Sequence, residues 1–262
     1  MSVLGQGLRL AVGTLTIVPV GQIPPVTRPV AAGAMLLAPV AALPVALVAA
    51  LLGAGLTLAG VPALVGAALV IGALGLGSRG MHIDGLADTA DGFAAGWSRD
   101  RALQVMRTGD VGPIGAATLG VVLLAQAAAI TGVVEGPADW VLVAWAVAWS
   151  RLACAGLCVR GLPSARPDGL GAAVADSVPA WWLVAGCLAA GLSGAGLAMA
   201  VQMAWWQPVL AVLVAAGVCG WLARHATRVL GGTTGDVLGA GIELSLLALL
   251  VVLSADLNGG LR

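Results

Sequence analysis

The chain has 262 residues, of which 60% are hydrophobic and 9% are charged, and its formal net charge is zero. Soluble domains carry about 25% charged residues, so this composition excludes an ordinary soluble protein. We expect a lipid bilayer around the chain and no nucleic-acid partner.

Long uncharged stretches recur along the chain. A membrane-spanning helix needs about 20 mostly apolar residues. By that measure the spans fall, in chain order, at two places within 28–79, then in 110–135 and 140–160, at two places within 176–224, and in 236–256. This spacing predicts an all-α, polytopic membrane helical bundle of about seven transmembrane helices, forming a single domain over residues 1–262. The apolar stretch that follows Arg9 lacks a clear cleavage site, and we interpret it as a short interfacial or re-entrant helix.

The basic residues, all of them arginine, divide unequally between the two sides of this seven-span arrangement. On one side the connections carry only Arg262. On the other side they carry the remaining arginines outside the spans: Arg9, Arg28, Arg79, Arg99, Arg101, Arg107, Arg160, Arg166, Arg224 and Arg228. Because cytoplasmic loops are enriched in arginine, we expect the N-terminus and the large polar connections to face the cytoplasm of a bacterial inner membrane, and the C-terminus to face out.

An aspartate-rich segment follows the second predicted span. Asp84, Asp88 and Asp91 are spaced i, i+4, i+7, which places three carboxylates on one face of a helix. Like charges on one face repel, and Mg²⁺ relieves that repulsion while also binding substrate phosphates. The alternative is a solvated acidic helix face. His82 precedes the cluster, where it suits either orienting an aspartate, contacting a phosphate, acting as a base, or a purely structural role.

Basic residues and glycines follow this cluster. Arg107 stands beside a glycine-bearing turn that includes Asp110. Arginine matches phosphate oxygens through paired hydrogen bonds, and a helix N-terminus after such a turn favours anions. Arg107 is therefore a candidate phosphate clamp. Binding of lipid headgroups is the competing interpretation, and it is stronger for Arg99 and Arg101.

A second polar segment, Gly231–Ala240, opens the last predicted span. Thr234 and Asp236 in it suit a ligand-binding loop, although either one alone is equally explained as a helix cap. Glu243 lies one or two turns inside the span, and Arg151 lies inside the fourth. Ionisable side chains within a span are costly and are functional candidates, so these two residues are expected to bind substrate or to pair with each other.

The four cysteines all lie inside apolar stretches, at Cys154, Cys158, Cys187 and Cys219. Cys154 and Cys158 share a helix face, which leaves a metal pair open. Buried cysteine more commonly acts as a small hydrophobic side chain, and neither a disulfide framework nor a zinc-binding spacing is present.

The segments HIDGLADTADG, RALQVMRTGDVGPIG and GGTTGDVLGAGIEL, in this order among hydrophobic spans, resemble the cobalamin synthase family of adenosylcobinamide-GDP ribazoletransferases. The resemblance implies that adenosylcobinamide-GDP reacts with α-ribazole, or its 5′-phosphate, and that GMP leaves. It further implies Mg²⁺ held by Asp84, Asp88 and Asp91, with His82 beside them. Thr234 and Asp236 would belong to the family's second loop. The chain departs from the usual family pattern at Ile17 and around Arg107, which leaves the role of Asp110 open.

The expected chemistry is in-line phosphoryl transfer, with a ribose hydroxyl attacking the phosphorus attached to the cobinamide. His82 or one of the aspartates would take the hydroxyl proton. Two other functions stay open on sequence grounds: a CDP-alcohol phosphatidyltransferase-like enzyme, which would need an arginine after Ala87, and a membrane transporter. A homo-oligomer, or association with other enzymes of the corrinoid pathway, also stays open.

Overall fold

A computed structural model of the protein describes residues 2–23, 25–96 and 98–256. Within those ranges the secondary structure is helical, with two isolated bridges, Val159 to Val178 and Ser164 to Thr233, and no strands. The helices are α1 (Val3–Leu15), α2 (Arg28–Leu36), α3 (Ala38–Ala41), α4 (Leu43–Leu58), α5 (Ala63–Gly77), α6 (Met81–Ala94), α7 (Arg99–Val105), α8 (Pro113–Val133), α9 (Trp140–Ser150), α10 (Leu152–Leu157), α11 (Gly169–Val174), α12 (Ala180–Ala200), α13 (Trp206–Leu230) and α14 (Gly235–Ser254). The predicted all-α fold class is confirmed.

Five helical segments in the described part of the chain are long and apolar enough to cross a membrane. They are α8, the segment Pro137–Leu157 that contains α9 and α10, α12, α13 and α14. These are the third to seventh spans that the sequence predicts. Residues 201–205 separate α12 from α13, beginning at Val201, the C-cap of α12.

The first two predicted spans are shorter than expected. Prolines in the first turns of α2, α3 and α4 divide residues 28–58 into three helices, since proline tolerates the first turn but not the helix interior. Helix α4 then has 16 residues and α5 has 15. Helices α5 and α6 are long and apolar enough to cross a membrane only when they are taken together. They would then form a broken span, because the chain bends by 91° between them.

The count of seven spans therefore stays a prediction, as do the single-domain assignment and the side of the membrane that holds the N-terminus. The expected outward position of the C-terminus and Arg262 lies outside the described residues. Helix α1 packs against α2, with Gly7 so close to the α2 backbone that an added Cβ would lie 2.9 Å from the Ala34 nitrogen.

Large apolar side chains cover much of the outer surface of the bundle. Examples on four different helices are Leu51 (65% exposed), Leu69 (51%), Leu124 (72%) and Leu192 (75%). A water-soluble protein rarely exposes so many, whereas lipid tails solvate them well. This surface supports a multi-pass membrane protein.

Helix α14 occupies the centre of the bundle, where it packs against α6, α8, α9, α10 and α13. It approaches α6 closely, and glycine makes that approach possible on both helices. A Cβ on Gly85 of α6 would lie 2.7 Å from the Asp236 carbonyl oxygen, and a Cβ on Gly239 of α14 would lie 3.2 Å from the His82 backbone. The two backbones are therefore in direct contact at this crossing.

The connection from α10 to α12 is fastened to the bundle by backbone and side-chain hydrogen bonds. The Gly161 N–H donates to Asp176 Oδ1 at 2.7 Å, and Arg28 Nη2 lies 2.6 Å from Asp176 Oδ2. The Gly161 N–H first, and Arg28 with it, lower the pKa of the Asp176 carboxyl below its usual value. The carboxylate therefore stays ionised and ties α2 to this connection.

Replacement of Gly85 by alanine is expected to force α6 away from α14. Overpacking of this kind costs about 1–3 kcal/mol, so Gly85→Ala should lower the thermal unfolding midpoint of the detergent-solubilised protein. The matched control is Gly120→Ala on α8, where an added Cβ meets no atom within 4 Å. Because alanine favours helices by about 1 kcal/mol over glycine, the control should be neutral or stabilised. Equal midpoints for the two variants would contradict the close crossing.

Candidate active site at the crossing of two helices

Carboxylates from the aspartate-rich segment and from the second polar segment, Gly231–Ala240, meet where α6 crosses α14. Asp84 and Asp88 lie one turn apart on α6, with Asp84 exposed and Asp88 only 9% exposed. Asp236 comes from the first turn of α14. The negative charges of Asp84, Asp236 and Asp91 all act on Asp88, and Asp84 also acts on Asp236. The crossing therefore concentrates negative charge at the edge of the bundle.

Thr234 fixes the start of α14 and orients the Asp236 carboxylate. The Thr234 Oγ1 atom accepts a hydrogen bond from the Val237 N–H at 3.2 Å, which is the geometry of a helix N-cap. The same hydroxyl lies 3.2 Å from Asp236 Oδ2. The predicted helix cap is confirmed, and the role of Thr234 in a ligand-binding site stays a prediction.

Asp91 has a different environment from the other two aspartates of α6. Its Oδ2 accepts a hydrogen bond from the Gly112 N–H at 2.7 Å, and its Oδ1 accepts one from the Gly115 N–H at 2.8 Å. These donors belong to the beginning of α8, where backbone N–H groups lack partners within the helix. Asp91 therefore binds the N-terminus of α8 to α6. Gly115 permits this contact, because a Cβ there would collide with the Asp91 carboxylate.

Arg166 is a site residue that the sequence did not single out. Its Nη1 lies 3.6 Å from Asp236 Oδ2, and its Nη2 donates to the Leu103 carbonyl at 3.2 Å. Its Nε is buried and has no hydrogen-bond partner in the part of the chain that the structure describes. The loop that carries it is held by the Ala165 N–H, which donates to the Thr233 carbonyl at 2.8 Å. Only this pairing of distant loops brings the arginine to the cluster, so local sequence gave no signal beyond the residue type.

The other predicted arginine and aspartate of this region lie farther out. Arg107 Nη2 is 3.2 Å from Asp168 Oδ1, and both side chains are more than half exposed. Asp110 is exposed in the turn before α8 and makes no hydrogen bond or ion pair with the carboxylate cluster. Arg99 packs against Gly231 and donates to the Ala165 carbonyl at 2.8 Å.

A separate group of polar side chains is buried on the inner side of the same crossing. His82 is 3% exposed, neither of its ring nitrogens has a hydrogen-bond partner among the described residues, and its Nδ1 lies 4.0 Å from Glu243 Oε1. Glu243 Oε2 accepts a hydrogen bond from Gln126 Nε2 at 2.9 Å. His82 and Glu243 are therefore adjacent to each other, and both are shielded from the exposed side of the site.

Arg151 is also enclosed, at 2% exposure. Its Nη1 donates to the Val147 carbonyl at 2.6 Å and to Ser150 Oγ at 2.9 Å. Glu243 and Arg151 act on each other electrostatically, but among the described residues each makes its side-chain hydrogen bonds with other groups. The pairing suggested by the sequence is thus an interaction at a distance.

The donor set at the crossing suits a hard divalent cation. In the part of the chain that the structure describes, no three His, Cys, Asp or Glu side chains lie close enough together to hold a metal ion by themselves. Mg²⁺ does not need one, since it is usually bound by one or two carboxylates together with water and substrate phosphates. Asp84, Asp88 and Asp236, whose charges act on one another, offer the one or two carboxylates that such a partly open site needs.

Comparison with known proteins gives a consistent result. The sequence profile of the cobalamin-5-phosphate synthase family matches residues 7–254. A relative from a Nocardioides species is 43% identical over 247 residues, covering 94% of this chain and 97% of the relative. Relatives from Frankia casuarinae (39% identical, 67% of this chain and 66% of the relative) and Pseudomonas syringae (40% identical, 67% and 69%) are similar. All three carry the name adenosylcobinamide-GDP ribazoletransferase. No solved structure matches the chain.

Neutralising Asp91 should destabilise the bundle, because its carboxylate binds two backbone donors of α8. A hydrogen bond to a charged group contributes about 1.5–3 kcal/mol, so Asp91→Asn is expected to lower the unfolding midpoint in detergent clearly. The control is Asp110→Asn, which removes the same charge near the same helix end. The Asp110 carboxylate makes no hydrogen bond with the described residues, so this variant breaks none there. An equal midpoint for both variants would show that the Asp91 contact contributes nothing.

Proposed function

The chain belongs to the cobalamin-5-phosphate synthase family, and on that premise we propose that it joins adenosylcobinamide-GDP to α-ribazole, or its 5′-phosphate, at the crossing of α6 and α14. The products are adenosylcobalamin, or its 5′-phosphate, and GMP. The observation that carries this proposal is the meeting of Asp84 and Asp88 with Asp236 beside Arg166. Phosphoryl transfer depends mainly on positioning and on charge stabilisation, which such a set of groups supplies.

Asp84, Asp88 and Asp236 are the residues we propose to hold Mg²⁺. The bound ion would draw negative charge from the phosphate oxygens of the substrate. Asp91 also stays a proposed ligand, as the family resemblance implies, because each of its oxygens has a second lone pair beyond the backbone hydrogen bonds. Its first task is to keep α8 against α6, so that the carboxylates of α6 hold their positions.

In the proposed reaction, an oxygen of the ribazole ribose forms a bond to the phosphorus attached to the cobinamide. The bond from that phosphorus to the bridging oxygen breaks, and the electron pair leaves with GMP. We propose that the Asp84 carboxylate oxygen that does not bind the cation accepts the hydroxyl proton, because this side chain is exposed. His82 is shielded from the exposed side of the site. We therefore propose that it is a positioning residue that packs against α14, where Glu243 orients its ring.

The remaining predicted residues have roles around this centre. We propose that Arg107 and Asp110 bind substrate at the exposed rim, and that Thr234 orients Asp236. Arg151 and Glu243 balance each other's charge within the bundle rather than at its surface. Association with a second copy or with other corrinoid-pathway enzymes stays a prediction.

We propose that the site faces the cytoplasm from the inner membrane. The start of α14 and the loop of Arg166 lie on the same side of the bundle as α7, so the arginines of these connections gather around the site. Cytoplasmic loops are the ones enriched in arginine. Helix α8, with 21 residues, is about 30 Å long and matches the hydrocarbon thickness, which puts its two ends on opposite sides.

Replacing Asp84, Asp88 or Asp236 singly by asparagine is expected to reduce turnover by about 10²- to 10³-fold, because each loses charge that the reaction uses. The measurement is GMP release from adenosylcobinamide-GDP and α-ribazole by protein in proteoliposomes. Asp139→Asn, in the connection after α8, is the matched control and should stay within about twofold.

The same assay tests the metal. Chelation should abolish GMP release, added Mg²⁺ should restore it, and Asp84→Asn should need more Mg²⁺ than the unmodified chain. Near-normal turnover in all three aspartate variants would overturn the proposed site. Undiminished turnover after chelation would overturn the proposed requirement for Mg²⁺.

Orientation is testable with single cysteines at the two ends of α8, in a chain whose four native cysteines are replaced. A membrane-impermeant maleimide should label Ala138→Cys in intact spheroplasts and Thr108→Cys only after permeabilisation, because we place residue 108 in the cytoplasm. The opposite pattern would reverse the orientation. Labelling of both positions in intact cells would contradict α8 as a span.

A further inference from the structure

An open recess of about 420 Å³ adjoins the carboxylate cluster, between α7 and the loop that carries Arg166. Three arginines line it, Arg99, Arg107 and Arg166, together with one carboxylate, Asp100, so the lining carries a net positive charge. The sequence separates these arginines by up to 67 positions, and the pairing of the Arg166 loop with Thr233 brings them together. The result is a positively charged recess beside a negatively charged site.

Arg166 contacts the carboxylate cluster and also lines the recess. Its Nη1 faces Asp236 at 3.6 Å, while its side chain also lines the recess. The backbone around it is fixed, since Ser164 Oγ donates to the Arg166 carbonyl at 2.7 Å and the Arg166 N–H lies 3.4 Å from the same hydroxyl. A diphosphate group that reaches from the carboxylates into the recess would therefore pass this guanidinium.

The recess has the size and the lining expected for a nucleotide. Pockets for small ligands commonly measure about 300–1,000 Å³, and a corrinoid is much bulkier than a nucleoside monophosphate. Leu103 and Pro167 provide apolar surface for a base, and Gln104 provides an amide. Arginine binds phosphate through two parallel hydrogen bonds, so several arginines favour a phosphate of high negative charge.

We propose that this recess holds the guanosine monophosphate half of the substrate, and that Arg166 is a catalytic residue that stabilises the departing phosphate. This inference rests on the proposed function. When the bond to the bridging oxygen breaks, its electron pair stays on the GMP phosphate, and the negative charge there increases. Arg166 touches that phosphate and offsets the charge, while the ribose proton goes to a carboxylate on the other side of the site.

The test is binding of GMP to the full chain in detergent, with Mg²⁺ present, measured by calorimetry. Arg166→Gln should weaken GMP binding at least about tenfold, because it removes a charge-assisted contact. Guanosine, which lacks the phosphate, should bind weakly to the unmodified chain and equally weakly to Arg166→Gln. Arg101→Gln is the matched control: Arg101 lies on α7 at the edge of the recess but is not one of its lining residues, so GMP affinity should change less than about twofold.

GMP affinity in Arg166→Gln within about twofold of the unmodified chain would overturn the recess assignment. Should Arg166→Gln fail to fold, judged by its unfolding midpoint, Arg107→Gln replaces it, since Arg107 is exposed at the rim. This second variant should weaken GMP binding about threefold or more, and unchanged binding would again overturn the proposal.

The recess and the proposed function fail in different ways. If the chain binds GMP through Arg166 but releases none from adenosylcobinamide-GDP and α-ribazole, the transferase proposal is wrong and the nucleotide site remains. If the chain is active and Arg166→Gln changes neither turnover nor GMP affinity, the transferase proposal remains and the recess assignment is wrong.

Discussion

The direct contact between the backbones of α6 and α14 is the constraint on which the site depends. Gly85 and Gly239 remove the side chains that would hold the two helices apart. In lipid, where apolar burial does not drive helices together, close packing of small residues is a main source of association. The contact also sets the distance between the carboxylates, because the Asp236 backbone lies against Gly85, which follows Asp84 in the sequence.

Charged groups beneath this crossing are arranged to limit the cost of burial. Glu243 is bonded to Gln126, Arg151 is bonded to backbone and hydroxyl oxygens of its own helix, and Asp91 binds free N–H groups of α8. An unpaired polar group in a bilayer costs several kcal/mol, so these bonds also fix the helix positions. The repulsive charge is thereby confined to the exposed side, where a cation and a phosphorylated substrate have access.

Hydrophobic length predicted the last five spans, and the i, i+4, i+7 spacing predicted α6, because both are properties of a single segment. The division of the first span was missed, since its prolines interrupt the helix without interrupting the apolar composition. Two features of the site depend on tertiary contacts that no local pattern contains. One is Arg166, delivered by loop pairing, and the other is Asp91, whose regular spacing with Asp84 and Asp88 gives no hint of its bonds to α8.

The two alternative functions fit this arrangement less well than a transferase. A CDP-alcohol phosphatidyltransferase-like enzyme would need an arginine after Ala87, and Asp88 stands there. A transporter needs ionisable groups along a path through the membrane. The ionisable side chains buried beneath the crossing are Arg151 at 2% exposure, His82 at 3% and Glu243 at 7%, and packed side chains enclose all three. The groups open to solvent instead gather at one end of the bundle, with carboxylates on one side of Arg166 and arginines on the other. This arrangement matches the two phosphates of a diphosphate ester. A cation held by carboxylates offsets negative charge at the reacting phosphorus, and arginine offsets the charge that develops on the leaving phosphate.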